Sequence, residues 1–394
     1  MATSANRSTG TALPGACEGG GAPAACKVPL QNGIWNMKIA VVGAGIGGLA
    51  LASLAGRAGH QVCLWERFEQ PRPLGSGLVI QPVGLAVLDR LGVGAQARAL
   101  GAPIARMQGH LGNGRSVLDV SYRGSAPGLA MHRSALFNLL WQAAQAAGVA
   151  VRTGMDIHTA PQVIGRRTLC LPDGTPLDDV DLVVDASGAG SKLSPLKARP
   201  LGFGAIWGTV PWPAHTPLPT NELRQRYRAA SRMVGVLPVG RMHEGDTMRA
   251  AVFWSMPTPA LAGWHDTPIQ AWRQEAEALW PEVAPFLATI TDTGHMTPAR
   301  YAHGTLRLPY APGLAFIGDA AHRASPQLGQ GANMALLDAH ALFTALQGHP
   351  LDEALPRCAA LRRWHVRMYQ AMSALFTPMY QSGSRTLPLL RDHL

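Results

Sequence analysis

Ile39-Ala40-Val41-Val42 is a short apolar run, the pattern of a strand buried on both faces of a parallel sheet. Gly43, Gly45, Gly47 and Gly48 cluster at its end, and Ile46, Leu49, Ala50 and Leu54 recur at helical spacing. Ala58-Gly59-His60 stops that helix, and Gln61 to Glu66 reads as a second strand. The order is strand, turn, helix, strand. The uncharged stretch from Ile39 to Gly56 reaches the crude transmembrane threshold of about 18 residues, but a lipid-facing helix would gain nothing from its glycines.

Further along, Gly75 to Ile80 predicts a loop and strand, followed by a helix near 83–91. Met107 to Leu111 and Ser116 to Tyr122 flank Asn113-Gly114, a hairpin signal. Ser134 to Ala147 predicts an amphipathic helix with Leu136, Leu139, Leu140 and Ala143 on one face. Asp181 to Asp185 is another buried strand, closed by Gly188. Residues 200 to 300 become rich in Pro and Trp, and runs such as Met233 to Val239 and Arg249 to Ser255 predict an antiparallel layer interrupted by one helix near 268–280. Leu314 to Ile317 is a last buried strand, and Asn333 to Gln347 and Leu355 to Ala374 are helices. No internal repeat is found.

Composition sharpens this picture. With 47% hydrophobic and 15% charged residues, the chain can bury a sizeable core. Residues 1–36 are the exception: they are rich in Gly, Ala, Ser, Thr and Pro, have no periodicity and lack the apolar stretch of a secretory signal. They are expected to form a disordered extension, and Met37 is an alternative start. The net charge of +10 comes mostly from scattered arginines without a basic run, so no nucleic-acid partner is expected. Cys17, Cys26, Cys63, Cys170 and Cys358 show no C-x-x-C spacing. Neither a metal site nor a disulfide scaffold is therefore expected, and a cytoplasmic location fits.

Gly43-Ala44-Gly45-Ile46-Gly47-Gly48 matches G-x-G-x-x-G between a strand and a helix. There Gly43 makes the turn, Gly45 lets a pyrophosphate approach the backbone, and Gly48 lets helix and strand pack closely. The positive end of the helix favours the anion. Glu66, at the end of the second strand, is placed to bind an adenosine ribose, which points to FAD or NAD rather than NADP; its neighbour Arg67 is counted with this site.

A second constellation, Gly318-Asp319-Ala320-Ala321-His322, Pro326, Gly329-Gln330-Gly331-Ala332-Asn333 and Asp338, selects FAD. It resembles the G-D-A-A-H-x-x-x-P-x-x-G-x-G-x-N signature of single-component FAD-dependent monooxygenases of the para-hydroxybenzoate hydroxylase type. The resemblance implies that Asp319 binds the ribityl chain and that the backbone of Gly329, Gly331, Ala332 and Asn333 approaches the flavin. Pro326 and His322 are expected near the ring. Met131-His132-Arg133-Ser134-Ala135-Leu136 resembles the family's h-R-x-x-L element, which places Arg133 beside the dinucleotide. Asp181-Leu182-Val183-Val184-Asp185-Ala186-Ser187-Gly188 aligns with its D-L-V-V-G-A-D-G element, and Ser187 stands where the family has aspartate.

The resemblance implies an α/β fold: a Rossmann-like FAD-binding domain with an inserted antiparallel-sheet substrate domain and C-terminal helices. The FAD-binding part is expected over 37–200 and 300–347, with a hairpin over 103–125 lending itself to the substrate layer. The substrate domain spans 201–299 and a helical segment 348–394. In such enzymes NAD(P)H reduces FAD, O₂ adds at flavin C4a, and the hydroperoxide hydroxylates or epoxidises a small, electron-rich, aromatic substrate. Trp207, Arg226, Tyr227, Phe253, Trp254 and Pro326 are the candidate pocket walls, and no catalytic base is named.

Only one dinucleotide fingerprint is present, so NAD(P)H binds transiently or a partner reductase supplies electrons. No cysteine pair adjoins the flavin segments, which removes thiol–disulfide chemistry. The W-x-W-x-I-P motif of flavin halogenases is absent; Trp264 and Trp272 do not supply it. A homodimer without integral membrane segments is expected. Two alternatives stay open: a flavin-dependent dehydrogenase or reductase of a prenyl or polyketide intermediate, and a non-catalytic flavin-binding protein.

Overall fold

The computed structural model describes residues 36–70, 76–122 and 126–392. The extension expected over 1–36 lies, apart from Asn36, outside the described residues.

The chain opens with β1 (Lys38–Val42), α1 (Ile46–Arg57) and β2 (Gln61–Trp65). There follow β3 (Gly77–Ile80), α2 (Pro82–Arg90), α3 (Gly94–Leu100), β4 (Ala102–Ile104), β5 (Arg106–Leu111) and β6 (Ser116–Ser121). Next come β7 (Gly128–His132), α4 (Arg133–Ala146) and β8 (Ala150–Arg152), then a small meander of β9 (Gln162–Val163), β10 (Arg166–Cys170) and β11 (Pro176–Val180). After β12 (Leu182–Asp185) the chain builds β13 (Arg199–Pro211), β14 (Glu222–Arg228), β15 (Arg232–Gly240) and β16 (Arg249–Pro257). Helices α5 (Thr258–Ala262), α6 (Ile269–Leu279) and α7 (Ala284–Leu287) precede β17 (Thr297–Thr305). The last elements are β18 (Tyr310–Ala311), β19 (Leu314–Phe316), β20 (His322–Arg323), α8 (Gly331–Leu346), α9 (Leu351–Tyr380) and α10 (Leu387–Arg391).

The first sheet runs β18-β19-β12-β1-β2-β8, parallel except for β18 at the edge. Parallel neighbours need a crossover, and α1 supplies it between β1 and β2. Leu49, Leu136, Leu140, Leu336 and Leu342 share one fully buried core on that side of the sheet. Small residues set how closely the helices pack: a Cβ on Gly47 of α1 would lie 3.3 Å from the Ala335 carbonyl of α8. On the other face Trp65, Val183 and Phe316 pack with Leu169 and Val180 of the meander.

The second sheet has eight strands in the order β20-β17-β13-β16-β15-β14-β5-β6, antiparallel except at β14–β5. Its strands alternate in the two-residue period of a sheet covered on both sides. Along β16, Val252 and Trp254 point to an outer core with Trp264, Trp272 and Phe286 from the helical segment. Ala251 and Phe253 point to an inner core with Val79 of β3, Ile104 of β4 and Tyr380 of α9.

Sequence and structure differ in three places. The 200–300 region holds three α-helices rather than one, because α5 and α7 are too short to show a helical period. Strand β17 crosses position 300, so residues expected in the FAD-binding part belong to the eight-stranded sheet. Helix α9 overruns the expected Leu355 to Ala374 at both ends, with Pro356 and Pro378 inside it. Each proline removes one backbone donor, and the burial of Leu355, Tyr369 and Met379 outweighs that loss. Among the described residues no helix is long and apolar enough to cross a membrane.

Candidate functional site

The crossovers leave β1 in opposite directions, toward β2 and toward β12, which opens a crevice at the carboxyl end of β1. Three glycines there do different work. Gly43 has φ +102°, and a Cβ on it would lie 2.6 Å from the Ala186 carbonyl; a Cβ on Gly48 would lie 2.1 Å from the Gly43 carbonyl. Both are therefore demanded by packing. A Cβ on Gly45 meets nothing closer than 3.7 Å, so its missing side chain keeps the mouth of α1 open. No side chain caps that mouth and its first turn holds no acid, which leaves free N–H groups and positive potential. Cβ atoms on Gly329 and Gly331 would likewise meet nothing, and α8 also begins without a side-chain cap.

Glu66 is buried at the end of β2. Its carboxylate accepts from the Ala44 N–H at 2.7 Å and from the Phe68 N–H at 3.1 Å, which aims it at the glycine loop. It lines a small cleft together with Gly43, Arg67, Asp156, Ser187 and Lys192. The Arg67 guanidinium stacks over the Phe68 ring at 4.7 Å. Sequence reasoning missed Met155, Asp156, Ile157 and Lys192 in this wall, since they lie on loops without a motif and are brought in by β8 and β12.

Sequence reasoning also missed Asp185. It is fully buried at the end of β12, where the family pattern has glycine. Its carboxylate accepts from the Ser187 N–H at 3.0 Å, from the Ser187 hydroxyl at 2.5 Å and from the Ser191 hydroxyl at 2.5 Å. Burial pushes its carboxyl above the usual range, and the two serines hold it back. Reading both positions of D-A-S-G against G-A-D-G would have shown that the acid has moved rather than vanished.

At the opposite wall, Arg133 begins α4 and attracts Asp319, which lies in the turn after β19. The protein packed around the Asp319 carboxyl raises it against the pull of His322, Arg133 and Arg323, although the residue keeps an exposed face. His322 requires a correction. Its Nε2 lies 2.6 Å from a carboxylate oxygen of Asp338 and the ring is buried, so it anchors the turn to α8 instead of addressing the flavin. Asp338 also accepts from the Gly318 N–H at 2.9 Å and from Arg362 of α9 at 2.7 Å. Burial opposes both charges, yet the pairing prevails: His322 is raised and Asp338 is held down at about 2. The Asn333 side chain is likewise spent on structure. It accepts from the Gln81 N–H at 2.8 Å and donates to the Val79 carbonyl at 3.0 Å, which joins α8 to β3, while Ala332 beside it is half-buried.

The candidate pocket walls separate by face. Trp207 is half-buried on the inner face, donates to the Tyr301 hydroxyl at 2.9 Å and stacks on Phe253 at 4.5 Å. Phe253 is 3% exposed and fills the space over Gly235, so it supports Trp207 from behind. Pro326 is exposed at the start of the turn that leads to α8. The other three expectations are corrected. Tyr227 faces inward but is 0% exposed, donating to Gln225 beneath Tyr380 and Arg391. Trp254 lies in the outer core, and Arg226 reaches outward to the Trp280 ring and Glu282. Strand alternation decides this, since residues 226 and 254 stand on the face opposite 227 and 253.

These residues fit FAD. Gly45, Gly329 and Gly331 leave space where a ligand backbone would pass, two uncapped helix starts supply N–H groups, and Glu66 and Asp319 stand ready for hydroxyls.

Comparison with known proteins agrees. The FAD binding domain family matches residues 36–356. The 3-amino-4-hydroxybenzoate 2-monooxygenase of Streptomyces cremeus is 29% identical over 354 residues, covering 83% of each chain. The 2-heptyl-3-hydroxy-4(1H)-quinolone synthase of Mycobacteroides abscessus is 27% identical over 367 residues, covering 86% of this chain and 88% of the relative. In three dimensions the fold resembles that of an HpxO variant of Klebsiella pneumoniae complexed with FAD, with a TM-score of 0.77 at 21% identity, over 91% of this chain and 94% of that one. The chain belongs to the FAD binding domain family and is an FAD-dependent monooxygenase of the para-hydroxybenzoate hydroxylase type.

Proposed function

We propose that the enzyme uses NAD(P)H and O₂ to hydroxylate a small aromatic ring that already carries a hydroxyl or amino group. The observation that carries this reading is the convergence of two helix starts: Gly47 of α1 lies against Ala335 of α8, so two uncapped N-termini stand side by side. The name of one relative supports the substrate class, since it refers to an aminohydroxybenzoate.

FAD, when bound, supplies reductive activation of O₂ and transfer of one oxygen atom. The residues of the chain do the rest. The N–H groups at the start of α1 hold the pyrophosphate, and Glu66 and Asp319 hold hydroxyls of the ribose and ribityl chain. Arg67, Arg133 and Ser187 border the same path. The positive end of α8 would favour negative charge on a flavin held beside it. Trp207 and Pro326 form the apolar wall that positions the substrate and keeps water away.

NAD(P)H binds transiently, since the single glycine fingerprint is taken by FAD. A cytoplasmic enzyme has this donor at hand. The exposed apolar row Leu361, Trp364, Met368 and Leu375 on α9 is the surface through which two copies would pair.

The test is NAD(P)H oxidation coupled to O₂ uptake with a panel of phenols, indoles and quinolones. Stimulation by one class, with a product heavier by one oxygen atom, is the expected result. Turnover independent of O₂ would indicate a dehydrogenase instead, and a flavin that NAD(P)H cannot reduce would point to a partner reductase or a binding protein.

A further inference from the structure

Arg226 stands on the outer face of the eight-stranded sheet, and a second cavity opens there. Strands β14 and β5 run parallel with Arg226 opposite His110, while Met107 and Leu111 of β5 turn to the inner core. His110 therefore shares the outer face with Arg224 and Arg226. The loop before β14 holds Leu218 between Pro217 and Pro219, and Trp280 closes α6. Together these residues line a cavity of about 180 Å³, with Glu282 at its border.

The side of this cavity made by the sheet is cationic, and the side made by Trp280 and the loop is apolar. Glu222 takes the Arg224 Nε at 2.6 Å, and among the described residues no hydrogen bond engages the Nη groups of Arg224. The Arg226 guanidinium lies 6.0 Å from the centroid of the Trp280 ring, donates to the Leu111 carbonyl at 3.4 Å and stands 3.8 Å from the Glu282 carboxylate. The Glu282 side chain is 42% exposed, and a pair so open contributes little. A carboxylate that reaches Arg226 from within the cavity therefore displaces it readily.

Size sets the class of occupant. Apolar cavities of about 150 Å³ take up a single benzene ring, whereas drug-sized ligands need ~300 Å³ or more. We propose that this cavity binds a small aromatic carboxylate: the anion lies on the guanidiniums of Arg224 and Arg226, whose planar forks match it, and the ring lies against Trp280 and Leu218. The sheet itself separates this site from the inner face that carries Trp207, so the occupant is a second molecule and not the one oxidised.

His110 gives the site a proton-linked signature. Burial, then Arg226 and Arg224 of β14, hold its pKa below the ordinary value. Arg106 on its own strand acts in the same direction, and Asp119 of β6 opposes them. The other carboxylates nearby are Glu222, opposite Arg106 on β14, and Glu282. An anion on the two arginines offsets the cations that disfavour an imidazolium, so it raises the His110 pKa and binding takes up a proton.

The experiment is calorimetric titration of the FAD-loaded enzyme with benzoate. Benzamide, the neutral isostere, should bind about tenfold more weakly, since it forfeits the charged hydrogen bonds. Benzoate affinity should rise as the pH falls from 8 to 6, and His110→Gln should flatten that slope. Neither the benzamide comparison nor the wild-type pH series needs a substitution. Arg224→Gln and Arg226→Gln should each weaken benzoate by about tenfold while FAD content and melting temperature hold. That same binding component should survive Trp207→Ala, on the opposite face. Absence of benzoate binding at millimolar concentration, equal affinity for benzamide, a flat pH series, or binding that both arginine variants retain overturns the proposal. So does a component that Trp207→Ala removes, which would place benzoate in the oxidation site alone.

Discussion

The Ser187 hydroxyl donates to the Asp185 carboxylate at 2.5 Å, so the acid that the family pattern carries at position 187 stands two residues earlier, buried, and orients the serine that replaced it. Ser187 lines the cavity beside Glu66, while Asp185 does not. The wall of the dinucleotide site is thus neutral at this point, backed by a charge beneath it.

Ser187→Asp should therefore weaken FAD binding and lower the melting temperature, because it sets a second carboxylate against Asp185. The repulsion is on the order of a few kcal/mol at an effective dielectric of about 20. Adding Asp185→Gly should restore both properties. Titration with FAD and thermal melts of the single and double variants check this, and a double variant worse than the single one would show that the two positions do not exchange roles.

The released cofactor should be FAD and not FMN, since Glu66 and the open mouth of α1 serve the adenosine half. Gly45→Val should give a folded but colourless protein, as the new side chain fills only the cleft. Gly48→Ala should instead destabilise the fold, because its Cβ would strike the Gly43 carbonyl. Flavin absorbance and melting temperature separate the two effects.

Asp338→Asn should cost about 3–5 kcal/mol, as expected when one partner of a buried ion pair is removed. The pH dependence has a definite sign. Asp338 is held at about 2, below its unfolded value near 4, so its contribution is present above pH ~4 and is lost as the pH falls toward 2. His322 is raised, so its contribution is present below about 6.5 and is lost as the pH rises through its folded value. Urea unfolding across pH should show both limbs in the wild type and neither in the variant.

Trp254 and Trp207 should separate stability from specificity. Trp254→Ala empties the outer core and should cost about 3–5 kcal/mol with little change in substrate preference. Trp207→Ala, at a half-buried position on the inner face, should change KM and the fraction of O₂ uptake coupled to hydroxylation more than it changes stability. Equal shifts in preference from both variants would contradict the assignment of faces.

The sequence alone determined whatever is carried by contiguous residues. The turn from β1 into α1 follows from Val42, Gly43, Gly45 and Gly48 within one short segment, because the glycine requirement is local and steric. The same holds for the turn from Gly318 to Asn333, whose glycines and proline constrain their own backbone. Tertiary structure decided what depends on which face a residue occupies and on what meets it from afar. A single-residue step in register placed Trp254 outside and Phe253 inside, and no composition rule distinguishes them. His322 was claimed by Asp338, and His303 was met by the Ser373 hydroxyl of α9, 70 positions along the chain. Hydrogen-bond direction depends on the complete set of partners, and that set exists only once the distant segments have packed.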